Sequence, residues 1–193
     1  MASSECGPRE QRKTKEVTMR NEGNFFEDFT IGQVFQHPLG RTIYNADNAW
    51  FTLMTMNTNE LHFNSDFASR TEHGRELVNS GLTVAIVLGI SVSDISQNAV
   101  ANLGWDEIRL VAPVFVGDTL YGESVITDLR ASKSRPHAGI VSCFTRGINQ
   151  HGTEVLSYRR SVMVYRREEG SAARRFPSTA TPIDRRAKTD AAS

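Results

Sequence analysis

Hydrophobic and polar positions follow two different periods along this chain, and the change from one to the other falls near Gly104. Ahead of it, the segment NADNAWFTLMTMN places Ala46, Trp50, Leu53, Met54 and Asn57 at offsets of four, seven, eight and eleven. That spacing predicts one face of a helix, with Asn45 as its N-cap and Asn57 at the C-terminal end on the buried side. A second helix is predicted from Ser80 to about Ser96, where the run LTVAIVLGISV is apolar nearly all round, as suits a helix enclosed by other structure. Beyond Gly104, four runs have strand character: Glu107 to Phe115, Thr119 to Arg130, Ile140 to Asn149 and Glu154 to Arg166. Turn residues at 116–118, 135–139 and 150–152 separate them and predict an antiparallel meander. One buried helix followed by such a sheet predicts an α+β domain in which the sheet wraps the helix.

Hydrophobic density rises at Phe25, Phe26 and Phe29 and stays high to Tyr165, with no Gly/Ser/Pro-rich linker and no internal repeat. A single domain over 23–167 is expected, with disordered, charge-rich segments at 1–22 and 168–193. The full chain of 193 residues is long enough for one core without disulfides or metals. Its 22 basic and 22 acidic residues cancel, so no global field draws it to nucleic acid or to an anionic membrane. The leader has no apolar stretch of the kind a signal peptide or membrane anchor carries, and the protein is expected to be cytoplasmic. Cys6 lies in the polar leader and Cys143 in an apolar alternating run, which predicts a buried free thiol rather than a disulfide. His37, His73, His137 and His151 lack metal-ligand spacing, so neither a metal nor a redox cofactor is expected.

The candidate chemistry lies in two places. The segment from Met56 to His62 gathers amide, carboxylate and imidazole groups just after a helix with one apolar side, where polar groups must be satisfied or used. It reads either as a capped helix end with a structural histidine or as a site. Asn79-Ser80-Gly81 opens the second helix, where unpaired N–H groups and the helix dipole favour a developing negative charge. Ser80 could equally be a plain cap there, and Gly81 a relief of crowding.

Taken together, these motifs are more specific. The Asn57-x-Asn59-x-x-His62 turn, the short helical run from Phe63 to Arg70, Ser80-Gly81 and the run LVAPVFVGDTL at 110–120 follow one another in a characteristic order. Over about Phe25 to Arg167 the chain resembles the MaoC-like dehydratases, the (R)-specific enoyl-CoA hydratases of the hotdog fold. MNTNELHFN and ESVITDLRASKSRPHAGIV are most similar to the mesaconyl-CoA hydratase branch, also called β-methylmalyl-CoA dehydratase.

The resemblance implies a single hotdog domain, an acyl-CoA substrate held where two units meet edge to edge, and at least a homodimer. It also implies hydration of an enoyl-CoA, or dehydration of a 3-hydroxyacyl-CoA, with coenzyme A present only as part of the substrate. His62 would be the general base, Glu60 a supplementary carboxylate if it turns inward, and the Gly81 N–H, with Ser80, the oxyanion contact. In the common form of the family an Asp stands where this chain has Asn57; an amide can orient water or a carbonyl but cannot act as the base. Lys133 and Arg135 are candidates for the phosphates of coenzyme A. A dicarboxylic acyl group would need a further cation, for which Arg41, Arg70, Arg75 and Arg109 are available. A non-catalytic acyl-CoA-binding protein and a hotdog thioesterase remain the alternatives.

Overall fold

The computed structural model describes residues 22–173 and residue 180. From the N-terminus, a 3-10 turn at Phe26–Asp28 leads to β1 (Val34–Gln36), β2 (Arg41–Thr42), α1 (Asn45–Met54), α2 (Ser65–Ser69) and α3 (Ser80–Ile90). Then come β3 (Ala99–Leu110), β4 (Thr119–Ala131), β5 (Ala138–Asn149), β6 (Glu154–Tyr165) and α4 (Arg167–Ala173). The described strands form one antiparallel sheet in the order β1-β4-β5-β6-β3, with β2 also on β4. Most of the expected leader and tail lies outside the described residues. The first residues of the expected tail, 168–173, instead continue as α4.

The sheet wraps α3, as the two periods predict. Val87 is fully buried on the helix, and β5 accepts it at Gly147, where a Cβ would lie 2.6 Å from a Val87 methyl carbon. Around this contact Ile43, Leu82, Ile90, Leu120, Leu156 and Tyr158 close one core cluster. A second cluster, with Phe29, Ile95, Ile126, Val141, Val162 and Val164, fills the far end of the sheet. Cys143 belongs to this second cluster and is a free thiol, and burial pushes its pKa up. The helical path also continues beyond Ile90, in a π-turn at Val92–Ser96. A chain of polar groups, half-buried at Asp94 and buried from His37 onward, ties that turn to the sheet. Asp94 Oδ2 lies 2.7 Å from His37 Nδ1, His37 Nε2 lies 2.9 Å from Ser124 Oγ, and Ser124 Oγ lies 2.7 Å from Thr145 Oγ1.

Two expectations are corrected. β3 runs from Ala99 rather than Glu107, bulges on both sides of Gly104, and pairs with β6 instead of β4. The meander therefore holds only for β4-β5-β6. Residues 111–115 leave the sheet edge, where Val111 donates to Val155 O, and pass the start of α3, where Val78 donates to Val114 O.

The second correction concerns α1, whose buried residues are Asn48 and Thr52. Trp50, Leu53 and Met54 face outward, at 77%, 58% and 73% exposure. The helix lies over a turn and a helix end full of unpaired backbone groups, which polar side chains can satisfy and apolar ones cannot. Its N-cap is Tyr44, one residue earlier than predicted, with the Tyr44 N–H donating to Asp47 Oδ2 at 2.9 Å.

The close approach of Val87 to β5 is testable. Gly147→Ala should cost about 1–3 kcal/mol through overpacking, which in a domain of this size lowers Tm by about 2–4 °C for each kcal/mol. An unchanged melting curve would contradict the packing described.

Candidate functional site

His62 ends a 3-10 turn at Glu60–His62 and is buried, at 8% exposure. Its Nδ1 lies 2.9 Å from the carbonyl oxygen of Leu77. A carbonyl can only accept, so Nδ1 carries the proton and, in the neutral ring, Nε2 keeps its lone pair. That is the tautomer a general base requires.

The surrounding segment is held by amides. Asn48, fully buried on α1, donates through Nδ2 to the carbonyl of His62 at 2.7 Å and to that of Leu77 at 3.1 Å. Its Oδ1 accepts the Asn79 N–H at 2.8 Å. Asn79 caps α3: its Oδ1 accepts the Gly81 N–H at 2.9 Å and its Nδ2 donates to Thr52 Oγ1 at 3.2 Å. Glu76 fastens the other side, accepting from Ser65 Oγ and from Asn45 Nδ2. The Ser65 hydroxyl, with the backbone N–H of Glu76 itself, holds the Glu76 carboxyl below the usual carboxylate range.

A cleft of about 250 Å³ opens beside this assembly, with Leu77, Ser80 and Thr83 on one side and the 110–114 segment on the other. Ser80 is exposed at its mouth. Gly81 is also exposed, and a Cβ there would come within 3.2 Å of the Phe51 ring. The missing side chain lets α1 rest on the start of α3.

The other sequence candidates divide. Asn57 is in the same loop as His62, but its Oδ1 accepts the Asn59 N–H at 2.9 Å, which leaves its Nδ2 as the group able to meet a ligand. Glu60 is a correction: it is exposed and accepts from Asn64 Nδ2 at 2.8 Å, outside the buried site. The Gly81 N–H is a second correction, since the Asn79 side chain takes it through ordinary N-capping. Lys133 and Arg135 stand apart from His62 within this one chain. They lie on the exposed turn after Ala131, eleven residues along β4 from Leu120, or about 36 Å, whereas His62 lies at the Thr119 end. One chain does not bring them to the cleft.

Of the four arginines, Arg41 is paired with Asp47 at 2.8 Å and Arg70 with Asp66. Arg109 lies on β3. Arg75 lies over the Phe115 ring, 3.9 Å from its centroid, two residues from Leu77, and pairs with no carboxylate among the described residues.

The sequence reading missed Asn48 because it sits on the polar side of α1, which the apolar stripe assigned to solvent. The Asn48/Thr52 pair at i, i+4 was the available signal. Among the described residues, no three His, Cys, Asp or Glu side chains gather as a metal site, and no helix is long and apolar enough to cross a membrane.

The family model for mesaconyl-CoA hydratase matches residues 10–191. The chain belongs to that family. It is 39% identical over 153 residues to the mesaconyl-CoA hydratase of Cereibacter sphaeroides, covering 79% of this chain and 44% of the relative. A MaoC domain protein dehydratase from Chloroflexus aurantiacus superposes with a TM-score of 0.74 at 37% identity, over 87% of this chain and 46% of the other. A Mycobacterium tuberculosis protein with a double hotdog fold superposes with a TM-score of 0.70 at 26% identity, over 91% and 53%. The fold is thus a hotdog, and the chain spans about half the length of these family relatives.

The capping role of Asn79 predicts that Asn79→Ala destabilises the domain by about 1–2 kcal/mol, read from the urea midpoint. No change in midpoint would contradict that role.

Proposed function

We propose that this chain hydrates an enoyl-CoA, or dehydrates the matching 3-hydroxyacyl-CoA, with His62 as the base. The observation that carries the reading is the Nδ1 bond to Leu77 O, which leaves the Nε2 lone pair of the neutral ring available, while Leu77 itself lines the cleft. In the hydration direction, Nε2 takes a proton from water as its oxygen bonds to the β-carbon. The alkene electrons move to the thioester as an enolate, and the proton is returned to the α-carbon. Asn57 Nδ2 orients the water or the thioester.

The N–H of Ser80, in the first turn of α3, replaces that of Gly81 as the enolate donor, a contact worth about 3 kcal/mol for one good donor. The reaction so written uses coenzyme A only as the carrier of the acyl group.

Family membership supports mesaconyl-CoA as the substrate, and Arg75, free of a described carboxylate, fits its distal carboxylate. A homodimer is part of the proposal. β3 is an open sheet edge carrying Leu103, Trp105, Ile108 and Leu110 at 46%, 38%, 48% and 50% exposure. One strand inward, the buried Arg160 donates through Nε to Asn102 Oδ1 at 2.9 Å, while its Nη1 meets no acceptor among the described residues. A second unit on that edge supplies cover for these side chains. We place the protein in the cytoplasm, in keeping with the free Cys143.

With purified protein, the conjugated-thioester absorbance of crotonyl-CoA and mesaconyl-CoA should fall without release of free thiol, and His62→Ala should abolish the change. Thiol release would identify a thioesterase instead. Binding without turnover, unaltered in His62→Ala, would identify an acyl-CoA-binding protein. For the assembly, light scattering should give a dimer that Leu103→Lys dissociates; a monomeric unsubstituted chain would contradict the edge pairing.

A further inference from the structure

We infer that Asn48 is a positioning residue for His62, holding the base in register with the first turn of α3; the inference rests on the hydratase reading above. Asn48 is fully buried and makes three hydrogen bonds, and none of them merely satisfies its own burial. Two end on the groups that fix the imidazole. The carbonyl of His62 accepts at 2.7 Å, and the carbonyl of Leu77, which also accepts the His62 Nδ1–H, accepts at 3.1 Å. Leu77 O is thereby held by two donors, so its direction, and with it the plane and tautomer of the ring, depends on Asn48.

The third bond, from the Asn79 N–H to Asn48 Oδ1 at 2.8 Å, ends on the residue that caps α3. One amide therefore fixes both ends of the reacting geometry, the base that activates water and the helix turn that meets the thioester. No other side-chain type of this size offers two donors and an acceptor in that arrangement. Aspartate would keep the acceptor for Asn79 and lose both donors; alanine would lose all three.

The test compares the unsubstituted chain with Asn48→Ala and Asn48→Asp in crotonyl-CoA hydration and in the ring ¹⁵N spectrum of His62. Both variants should lose kcat on the order of 10²-fold, as expected for a catalytic group displaced by about 1 Å, with KM little changed. His62 should lose the signature of a single Nδ1–H tautomer in both. If Asn48→Ala fails to fold, Asn48→Asp, which keeps the bond to Asn79, carries the comparison. Lower thermal stability with kcat and the ring spectrum intact would overturn the inference, since a purely structural role predicts that pattern. Should the unsubstituted protein hydrate no thioester, the hydratase reading fails, and the ring spectrum alone still decides whether Asn48 sets the tautomer.

Discussion

The Asn48 amide is the contact on which the site depends, because it is one fully buried side chain that joins all three segments of the site. α1 supplies the amide, the 3-10 turn supplies His62, and the strand-like segment before α3 supplies Leu77 and Asn79. Each contributes backbone groups that the ends of regular elements leave unpaired, and burying those groups unpaired would cost free energy for every one. Satisfying them with a single side chain converts a packing problem into a defined position for an imidazole. Gly81 serves the same end by letting Phe51 lie close to the start of α3.

How far this was legible in the sequence follows from the kind of signal each element leaves. α3 was readable because LTVAIVLGISV is a long apolar run, but the chain encloses it on one side only: Leu82, Val87 and Ile90 are buried against the sheet, whereas Gly81, Ala85 and Gly89 stay exposed. β4, β5 and β6 were readable from alternation and from glycine turns; Gly117 and Gly152 do adopt positive φ. β3 was misplaced because its residues are largely exposed and its register is broken by bulges, so the buried alternation that marks a strand is weak there. α1 was located correctly and turned the wrong way, because an apolar stripe marks a face covered by something without saying whether the cover belongs to the same chain. His62 was legible from its motif. The tautomer that leaves its Nε2 unprotonated was not, since it depends on a carbonyl fifteen residues away.

The corrections sharpen the chemistry. Glu60 and the Gly81 N–H are engaged elsewhere, and Asn57 contributes a donor in place of a base. In the proposed reaction one imidazole handles the proton, and an amide and a helix terminus hold the substrate's oxygen atoms. The series Asp94, His37, Ser124 and Thr145 has the bonding order of a hydrolase triad, but Ser124 is 2% exposed and bonded to both His37 and Thr145, so it braces the sheet instead of attacking a thioester.

In the proposed reaction His62 and the first turn of α3 address the same thioester. A crystal structure of His62→Ala with crotonyl-CoA bound tests it most directly. The thioester oxygen should lie within hydrogen-bonding distance of the Ser80 N–H, and the β-carbon should face the space vacated by the imidazole. An acyl group seated on the outer face of α1, against Trp50 and Met54, would contradict it.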